Sequence, residues 1–413
     1  MIVYFKNVEL AEKYRISEAT VRNWIKMSKD GKLNLSLVDV KGRTYVTNSP
    51  GNIALINSMV STNRKYRNTK AECRVSVGPE FYRIFEKRYM YDIIRNLELK
   101  REIPRQYNYF ADGADRWDVY ATEQYHDMQP SMTKATTVLL SECKDFLDRR
   151  LAHFDYLNVI DMGMGNVLPA KELLSSLYAS KKLARYIAVD LSPRMLDIAE
   201  RNVKEWFGDS FPFEAYRRDI SCERFPEIVM NEYLLRGSIR PRTGNLFLLL
   251  GDTPTNFAVP NDAFRTICES MQPGDFLIST GKIETQDMQP EWYIHDYPST
   301  PRHFTLTPRH RYVFDLLGIS PSYYQAEIGY DKELGYRYVR ARLKIAITLK
   351  FEFEDGERTV HLEKGDTILL WRSWQVTAHD FVAQFDHSGF YVLHSSQTED
   401  HAYIITVAEV KRD

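Results

Sequence analysis

The densest chemistry in the sequence lies in Asn158-Val159-Ile160-Asp161-Met162-Gly163-Met164-Gly165-Asn166, an apolar run ending in an acid and two glycines ahead of the helix-forming stretch Pro169 to Leu177. A strand that passes through a glycine turn into a helix opens a nucleotide-type βα unit, because glycine lets the backbone approach a ligand closely. Further on, Tyr186-Ile187-Ala188-Val189 ends in Asp190 and leads through Leu191-Ser192-Pro193 into a second helical stretch, Arg194 to Glu200. An acid at the end of the second strand of such a unit is placed to accept hydrogen bonds from ribose hydroxyls. Asp161, Gly163, Gly165 and Asp190 are therefore the candidate cofactor residues.

A lone Gly-x-Gly fits many tight turns; the second acid separates a cofactor cradle from an ordinary one. A nicotinamide cofactor stays open, although nothing at the Gly165 turn supplies the third glycine that brings a pyrophosphate onto a helix N-terminus. S-adenosylmethionine has no phosphate and carries an α-amino group. Asp161, just before the first glycine, suits a cationic amine.

The 413 residues are enough for two or three domains. Charge divides them. Residues 1–70 hold thirteen Lys and Arg against five Asp and Glu, whereas the remainder holds 42 against 51, which marks a separate basic module. The four cysteines, Cys73, Cys143, Cys222 and Cys268, form no Cys-x-x-Cys pair, so neither a zinc site nor a disulfide framework is expected, and a reducing cytoplasm fits. His387, His394 and His401 recur every seven residues but read as ordinary histidines, so no metal site is expected. No apolar run is long enough to span a membrane and no signal-peptide core is visible.

In the basic module, Leu10, Ala11, Tyr14 and Ile16, then Val21, Trp24 and Ile25, give two short apolar helical faces, with Ser17 as the N-cap between them. The pattern is that of a helix-turn-helix. It resembles the MerR and excisionase type of small winged domain, with Leu35 to Val46 as the wing and Lys41-Gly42-Arg43 as its basic turn. The resemblance implies that Arg22, Asn23 and Lys26, with Glu18 and Thr20, lie near bases or phosphates and that Lys41 and Arg43 reach the adjoining backbone. Such domains also dock proteins, so duplex DNA and a protein partner both stay open. Polar, basic Ser61 to Pro79 reads as a linker. Beyond it, single helices are expected over Phe81 to Glu98 and Thr133 to Leu151, and a strand over Tyr338 to Phe353.

A Tyr/Phe-rich loop at Ile103 to Asp118 and a helix then precede the glycine turn. Taken with Tyr109 to Gly113, Asp161 to Gly165 with Lys171, Asp190, and Gly251-Asp252-Thr253-Pro254-Thr255-Asn256 after Leu246 to Leu250, this order resembles the histidine-specific S-adenosylmethionine methyltransferase family that includes the ergothioneine-pathway histidine Nα-methyltransferase. The resemblance covers roughly residues 80–413. It implies an α/β fold: a Rossmann-like class I methyltransferase sheet at 80–285, with an additional α+β substrate portion at 286–413, preceded by the small α-rich winged domain at 1–70 and a linker at 71–79. It further implies that Lys171 joins the cofactor site and that Asp219 faces the adenine, where a solvated loop acid is the alternative. Asn256 and Tyr125 would anchor the substrate, with Tyr109 and Ser373 lining its pocket.

The substrate end departs from the family. Gly365 to Thr377 lines up with the segment whose Glu and Ser hold the histidine substrate; Trp371 stands at the Glu position and Ser373 keeps the Ser, while Ala341 stands where the histidine methylase has Met. An acid lost and an indole gained describe a pocket rebuilt for another molecule, with Trp371 as ordinary core the alternative. The expected function is N-methylation of an amino-acid-like or aromatic small molecule other than histidine. The rival is a transcriptional regulator whose methyltransferase-like half senses a ligand. A nucleic-acid methyltransferase fits less well, because Gly251-Asp252-Thr253-Pro254 stands where base methylases carry Asn-Pro-Pro-Tyr or Asp-Pro-Pro-Tyr.

Overall fold

A computed structural model describes residues 4–14, 16, 18–67, 73–127, 131–229, 242–284 and 301–411. The chain divides into two compact units, Met1–Cys73 and Arg74–Asp413.

In the first unit the helices Asn7–Tyr14, Glu18–Lys29 and Pro50–Arg67 accompany a small antiparallel sheet ordered β1-β3-β2, from β1 (Tyr4–Phe5), β2 (Leu37–Val40) and β3 (Arg43–Thr47). Val21, Trp24 and Ile25, spaced three and four apart, turn one face of the second helix into a core with Leu10, Val46 and Ile56. That spacing leaves Arg22, Asn23 and Lys26 exposed, as are Lys41 and Arg43 at the hairpin tip. Asn52 ties the third helix to the hairpin: its Oδ1 accepts from Ser36 N at 2.9 Å and its Nδ2 donates to Thr47 O at 2.9 Å. Ser17, expected as an N-cap, lies outside the described residues.

The stretch Ser61 to Pro79 is not the uninterrupted linker that its polarity suggests. The third helix continues to Arg67, and Cys73–Ser76 forms β4, with Val77 N donating to Lys350 O at 3.1 Å. Alternation of Cys73, Val75 and Val77 inward with Arg74 and Ser76 outward is the strand signal inside that polar stretch.

The large sheet of the second unit runs β16-β17-β9-β8-β5-β6-β7. Its strands are β5 (Tyr156–Met162), β6 (Leu183–Asp190), β7 (Phe213–Arg217), β8 (Thr243–Leu249), β9 (Phe276–Lys282), and a hairpin described below. The five from β9 to β7 pair in parallel, as crossover helices require. Both faces are covered. Leu157, Val159, Leu246 and Leu248 pack on one face, while Ile160, Met162, Phe247 and Leu249 enter a separate core on the other, the period of two expected of a doubly covered strand.

A third core lies off this sheet. It is built from the helices Pro79–Ile84 and Lys87–Lys100 and from β10 (Arg302–Phe304), β11 (Tyr324–Asp331), β12 (Tyr336–Leu343), β13 (Ile347–Phe353), β14 (Gly356–Leu362) and β15 (Thr367–Trp374). These strands form one sheet ordered β10-β11-β12-β15 and another ordered β14-β13-β4. The chain then returns to the large sheet through the helix Ala378–His387, β16 (Phe390–Gln397) and β17 (Tyr403–Val410), the last antiparallel to β9. A boundary near residue 285 therefore does not separate a cofactor half from a substrate half: the third core takes residues from both sides of it, and the C-terminal hairpin completes the large sheet.

Three expected elements are each two. The helix expected over Phe81 to Glu98 breaks where Phe85 and Glu86 are extended, which sets the Phe85 ring against Phe81, Tyr107 and Phe110 at 5.2 to 5.6 Å. Thr133 to Leu151 divides at Cys143. Tyr338 to Phe353 is β12 and β13, in different sheets; because both face the third core, apolar alternation runs through the turn that separates them. Among the described residues no helix is long and apolar enough to cross a membrane, and no group of His, Cys, Asp and Glu is placed to hold a metal ion.

Candidate active site

The C-terminal ends of β5, β6 and β8 open into a cleft of two lobes, where ligands sit in doubly wound sheets. Arg105, Tyr109, Trp117, Gly163, Gly165 and Asn256 line both lobes and form their junction. The first lobe, about 840 Å³, adds Asp190, Met195, Asp219 and Ile220. The second, about 1610 Å³, adds Asp161, Tyr120, Asp252, His310, Arg337 and Trp371 among others.

Gly165 carries a φ of +56° and a Cβ there would lie 2.4 Å from the Trp117 ring, so the turn and the indole fit only because residue 165 has no side chain. The turn is held from outside: Asn166 Nδ2 donates to Asp118 Oδ1 at 3.0 Å, and Asn202 Nδ2 donates to Asn166 O at 3.0 Å. Asp161 is buried, its Oδ2 accepting from the Tyr186 hydroxyl at 2.9 Å and its Oδ1 having no hydrogen-bond partner. Burial pushes its carboxyl up to about 7, offset in part by Tyr186, with Asp190 adding a smaller push upward. Burial likewise raises Asp190 to about 6, against backbone donors that include Ser192 N at 2.7 Å. An unpaired, reluctant carboxylate beside a glycine cradle, with a second acid at the next strand end, fits a ligand that has a cationic amine and hydroxyls and needs no phosphate pocket.

Asn256 ends the short helix Thr253–Asn256 that follows β8. Its Oδ1 is buried without a partner, and so is Oδ1 of Asp252, the residue immediately before that helix. Gly251 N donates to Thr280 Oγ1 at 2.8 Å and Trp374 Nε1 donates to Phe257 O at 2.8 Å, which fixes both ends of this segment. Buried acceptors lacking donors are costly. One at the junction and one in the second lobe fit a donor-bearing ligand.

Of the other sequence candidates, Tyr109, Asp219 and Trp371 line the cleft. Asp219 Oδ1 already accepts from Ser221 N at 3.0 Å and from its hydroxyl. Four candidates do not line it. Lys171 turns away and lays its Nζ 4.3 Å from the Trp206 ring. Tyr125 misses because the helix Asp112–His126 presents Trp117, Tyr120, Ala121 and Gln124, spaced at three and four, to the cleft, which leaves the next position about 100° round. Ala341 is fully buried in the third core opposite Ile368. Ser373 is fully buried behind the wall, where its Oγ accepts from Arg337 Nη2 at 3.3 Å.

Sequence reading missed Trp117, Tyr120 and Gln124, whose i, i+3, i+7 spacing was a usable signal, and also Arg105, Arg309 and Arg337, which come together only through the third core. His310 was missed as well. Its imidazole is held well below the ordinary value by burial, then by Arg309 and Arg105, and its Nδ1 lies 2.9 Å from Thr307 Oγ1.

The chain is similar to a solved S-adenosylmethionine-dependent methyltransferase from Clostridium acetobutylicum (10% identity over 71% of this chain and 98% of that one, TM-score 0.40). It is similar too to an amino pentose methyltransferase from Micromonospora echinaspora, solved with S-adenosylmethionine bound (11%, 71% and 97%, TM-score 0.37), and to magnesium protoporphyrin IX methyltransferase from Synechocystis (13%, 74% and 98%, TM-score 0.36). No curated protein matches. Residues 89–410 match the family described as histidine-specific methyltransferase, SAM-dependent, a span that holds the glycine turn, both strand-end acids, Asn256 and the C-terminal hairpin. This chain is therefore a methyltransferase that uses S-adenosylmethionine, and it belongs to the histidine-specific, SAM-dependent methyltransferase family.

Proposed function

We propose that the enzyme methylates an amine nitrogen of an amino-acid-like or aromatic small molecule other than histidine. The observation that carries the reading is the buried, partnerless Asn256 Oδ1 at the junction of the two lobes. Bound S-adenosylmethionine supplies a methyl carbon activated by its sulfonium. The chain's own task is to place a neutral amine in line with that carbon. Asn256 Oδ1 accepts one N–H of the amine and so directs its lone pair toward the first lobe. Tyr109 and Trp117 close the junction against water, and Trp371 forms part of the acceptor wall. Histidine is disfavoured because an indole occupies the position of the family's imidazole-binding carboxylate. In an assay of methyl transfer to free histidine and to a panel of other amines, histidine is expected to give at least tenfold lower kcat/KM than the best acceptor; efficient histidine trimethylation contradicts the reading.

The same proposal gives Asp161 the cofactor's α-ammonium, Asp190 its ribose, Asp219 the adenine end and Gly163 and Gly165 the close backbone approach. Asp161 must be ionised to hold the ammonium, and its carboxyl in the free protein titrates at about 7. An α-amino group stays protonated below about 7.7, so between pH 7 and pH 5.5 only the acids change state. Cofactor affinity is therefore expected to fall about tenfold or more over that interval. In the free protein the sign for stability is opposite: a raised carboxyl binds its proton more tightly folded than unfolded, so stability declines as pH rises through the window up to about 7. Calorimetric titrations at several pH values check the first effect. Asp161→Asn should bind weakly with a flattened profile, and a wild-type affinity independent of pH contradicts the assignment.

For residues 1–70 we propose a winged helix-turn-helix that binds duplex DNA, with a regulatory use of the methyltransferase half as the reading this would favour. What supports it is the excess of basic residues together with the exposure of Arg22, Asn23, Lys26, Lys41 and Arg43 on one helix and one hairpin tip. Phosphate contacts release counterions, so binding should weaken with a log–log salt slope of about −0.9 per phosphate neutralised. Replacing Arg22, Lys26, Lys41 and Arg43 together by Gln in the full chain should abolish gel shifts and leave cofactor binding unchanged. If the wild type binds no duplex at low salt, protein docking takes its place.

A further inference from the structure

We propose that the methyl acceptor carries a second hydrogen-bond donor, an ammonium or a hydroxyl, and that the carboxylate of Asp252 holds it in the second lobe. The inference rests on the reading of that lobe as the acceptor site and adds to it what the molecule carries beside its reacting nitrogen. Among the described residues, three buried side-chain oxygens that border the cleft have no donor: Asp161 Oδ1, Asp252 Oδ1 and Asn256 Oδ1. The cofactor's ammonium and the reacting amine account for the first and the third. Asp252 is left over.

A capping role does not explain it. An aspartate directly before a helix ordinarily accepts from the N–H groups of the first turn. Asp252 stands directly before Thr253–Asn256, yet its side chain makes no such bond. The backbone takes that part: Asp252 O accepts from Thr255 N at 3.1 Å and from Thr255 Oγ1 at 3.0 Å. With Gly251 N donating to Thr280 Oγ1 at 2.8 Å, the segment is held without the carboxylate. Among the described residues the carboxylate makes no ion pair either.

Its place in the cleft points to the acceptor and not to the cofactor. Asp252 lines the second lobe and not the first, whereas Asn256 borders both. Tyr403 on β17 lines the same lobe and feels the charge: burial raises its hydroxyl most, and Asp252 is the next cause. Asp252 and Asn256 stand four residues apart, about one helical turn, which sets their side chains roughly 5 to 6 Å from each other. A donor at that reach from the reacting nitrogen meets Asp252 while the nitrogen stays at the junction. A buried carboxylate oxygen without a donor is costly, and a charge-assisted hydrogen bond from an ammonium or a hydroxyl offsets the cost. Because Arg309, Arg337 and Lys282 line the same lobe, a cationic and a neutral donor are separate arms of the test.

The test uses the full-length protein saturated with S-adenosylhomocysteine and calorimetric binding of amines matched in size. Norvaline, homoserine and 2,4-diaminobutyrate carry a methyl, a hydroxyl and an ammonium at one position. Pentylamine, 4-aminobutanol and 1,4-diaminobutane do the same without the amino-acid frame, and 3-methylbenzylamine with 3-hydroxybenzylamine forms an aromatic pair. In at least one series a donor-bearing member is expected to bind about tenfold or more tightly than its methyl partner. Asp252→Leu should remove that preference. Asp252→Asn, which keeps an acceptor oxygen and loses the charge, should remove a preference for ammonium and spare most of one for hydroxyl. S-adenosylhomocysteine affinity should stay within about threefold of wild type in both variants, which also shows that they are folded. The inference is overturned if no donor-bearing member exceeds its methyl partner, or if the preference survives Asp252→Leu; loss of cofactor affinity in both variants marks Asp252 as structural and overturns it too. Methyl transfer on the same panel separates the two claims: donor preference in binding with no transfer to any amine contradicts the proposed function alone, and transfer without donor preference contradicts the Asp252 site alone.

Discussion

Asn256→Ala is expected to lower kcat/KM about 100-fold while S-adenosylmethionine affinity stays within threefold of wild type. A hydrogen bond to a charged or polarised partner contributes about 1.5 to 3 kcal/mol, which is roughly 10- to 150-fold in rate, and loss of alignment places the effect toward the upper end. The backbone here is fixed independently of the amide, through Gly251 N on Thr280 Oγ1 and Phe257 O on Trp374 Nε1, so truncation should not unfold the segment. Asn256→Asp separates alignment from charge. A carboxylate would bind an ammonium tightly and hold it protonated, so KM should fall, kcat should drop, and the alkaline limb of activity should be restored only at higher pH. Steady-state kinetics of both variants against pH make the check. An Asn256→Ala enzyme with normal turnover would remove the amide from the reaction.

Gly165→Ala should instead act on cofactor binding. The new methyl group would meet Trp117 at 2.4 Å, and the residue would still have to keep a φ of +56°. Left-handed strain of about 1 to 3 kcal/mol and overpacking of about 1 to 3 kcal/mol together correspond to a loss of cofactor affinity of roughly 30-fold or more. Gly163→Ala is the control. Its φ of +60° carries similar strain, but its nearest neighbour, Thr253 Cγ2 at 3.3 Å, needs only a small shift, so the loss should be several-fold smaller. Gly165→Ala combined with Trp117→Ala should recover part of the affinity if the clash is the cause. Calorimetry on the four proteins settles it, and wild-type affinity in Gly165→Ala would refute the cradle.

How much of this was legible in the sequence follows from how each part is encoded. The seven-stranded sheet was visible because its buried strands are short apolar runs punctuated by glycines and acids, and the residues at their C-terminal ends fall in the cleft by topology alone. Asp161, Gly163, Gly165 and Asp190, read from that pattern, and Asn256, taken from the family resemblance, all line the cleft. Side-chain direction was not legible. Tyr125 and Lys171 sit on the right helices but on the wrong faces, and Ser373 faces inward behind Arg337. The arginine positions were hidden for another reason. Arg105, Arg309 and Arg337 are more than two hundred residues apart at the extremes, and they converge only because residues from both sides of the large sheet's sequence fold into the third core. Periodicity also misled where one core served two strands, as at β12 and β13.

The central claim is that this cleft moves a methyl group onto a small-molecule amine, and one measurement tests it most directly. Purified enzyme is incubated with S-adenosylmethionine carrying a trideuterated methyl group and with a metabolite extract, and the products are read by high-resolution mass spectrometry. The account predicts one or more amine-containing metabolites that gain the labelled methyl on nitrogen, in amounts that fall sharply with Asn256→Ala and, at cofactor concentrations near the wild-type Kd, with Gly165→Ala. Label confined to S-adenosylmethionine, by a protein that binds the cofactor tightly and across extracts from several growth conditions, would contradict it.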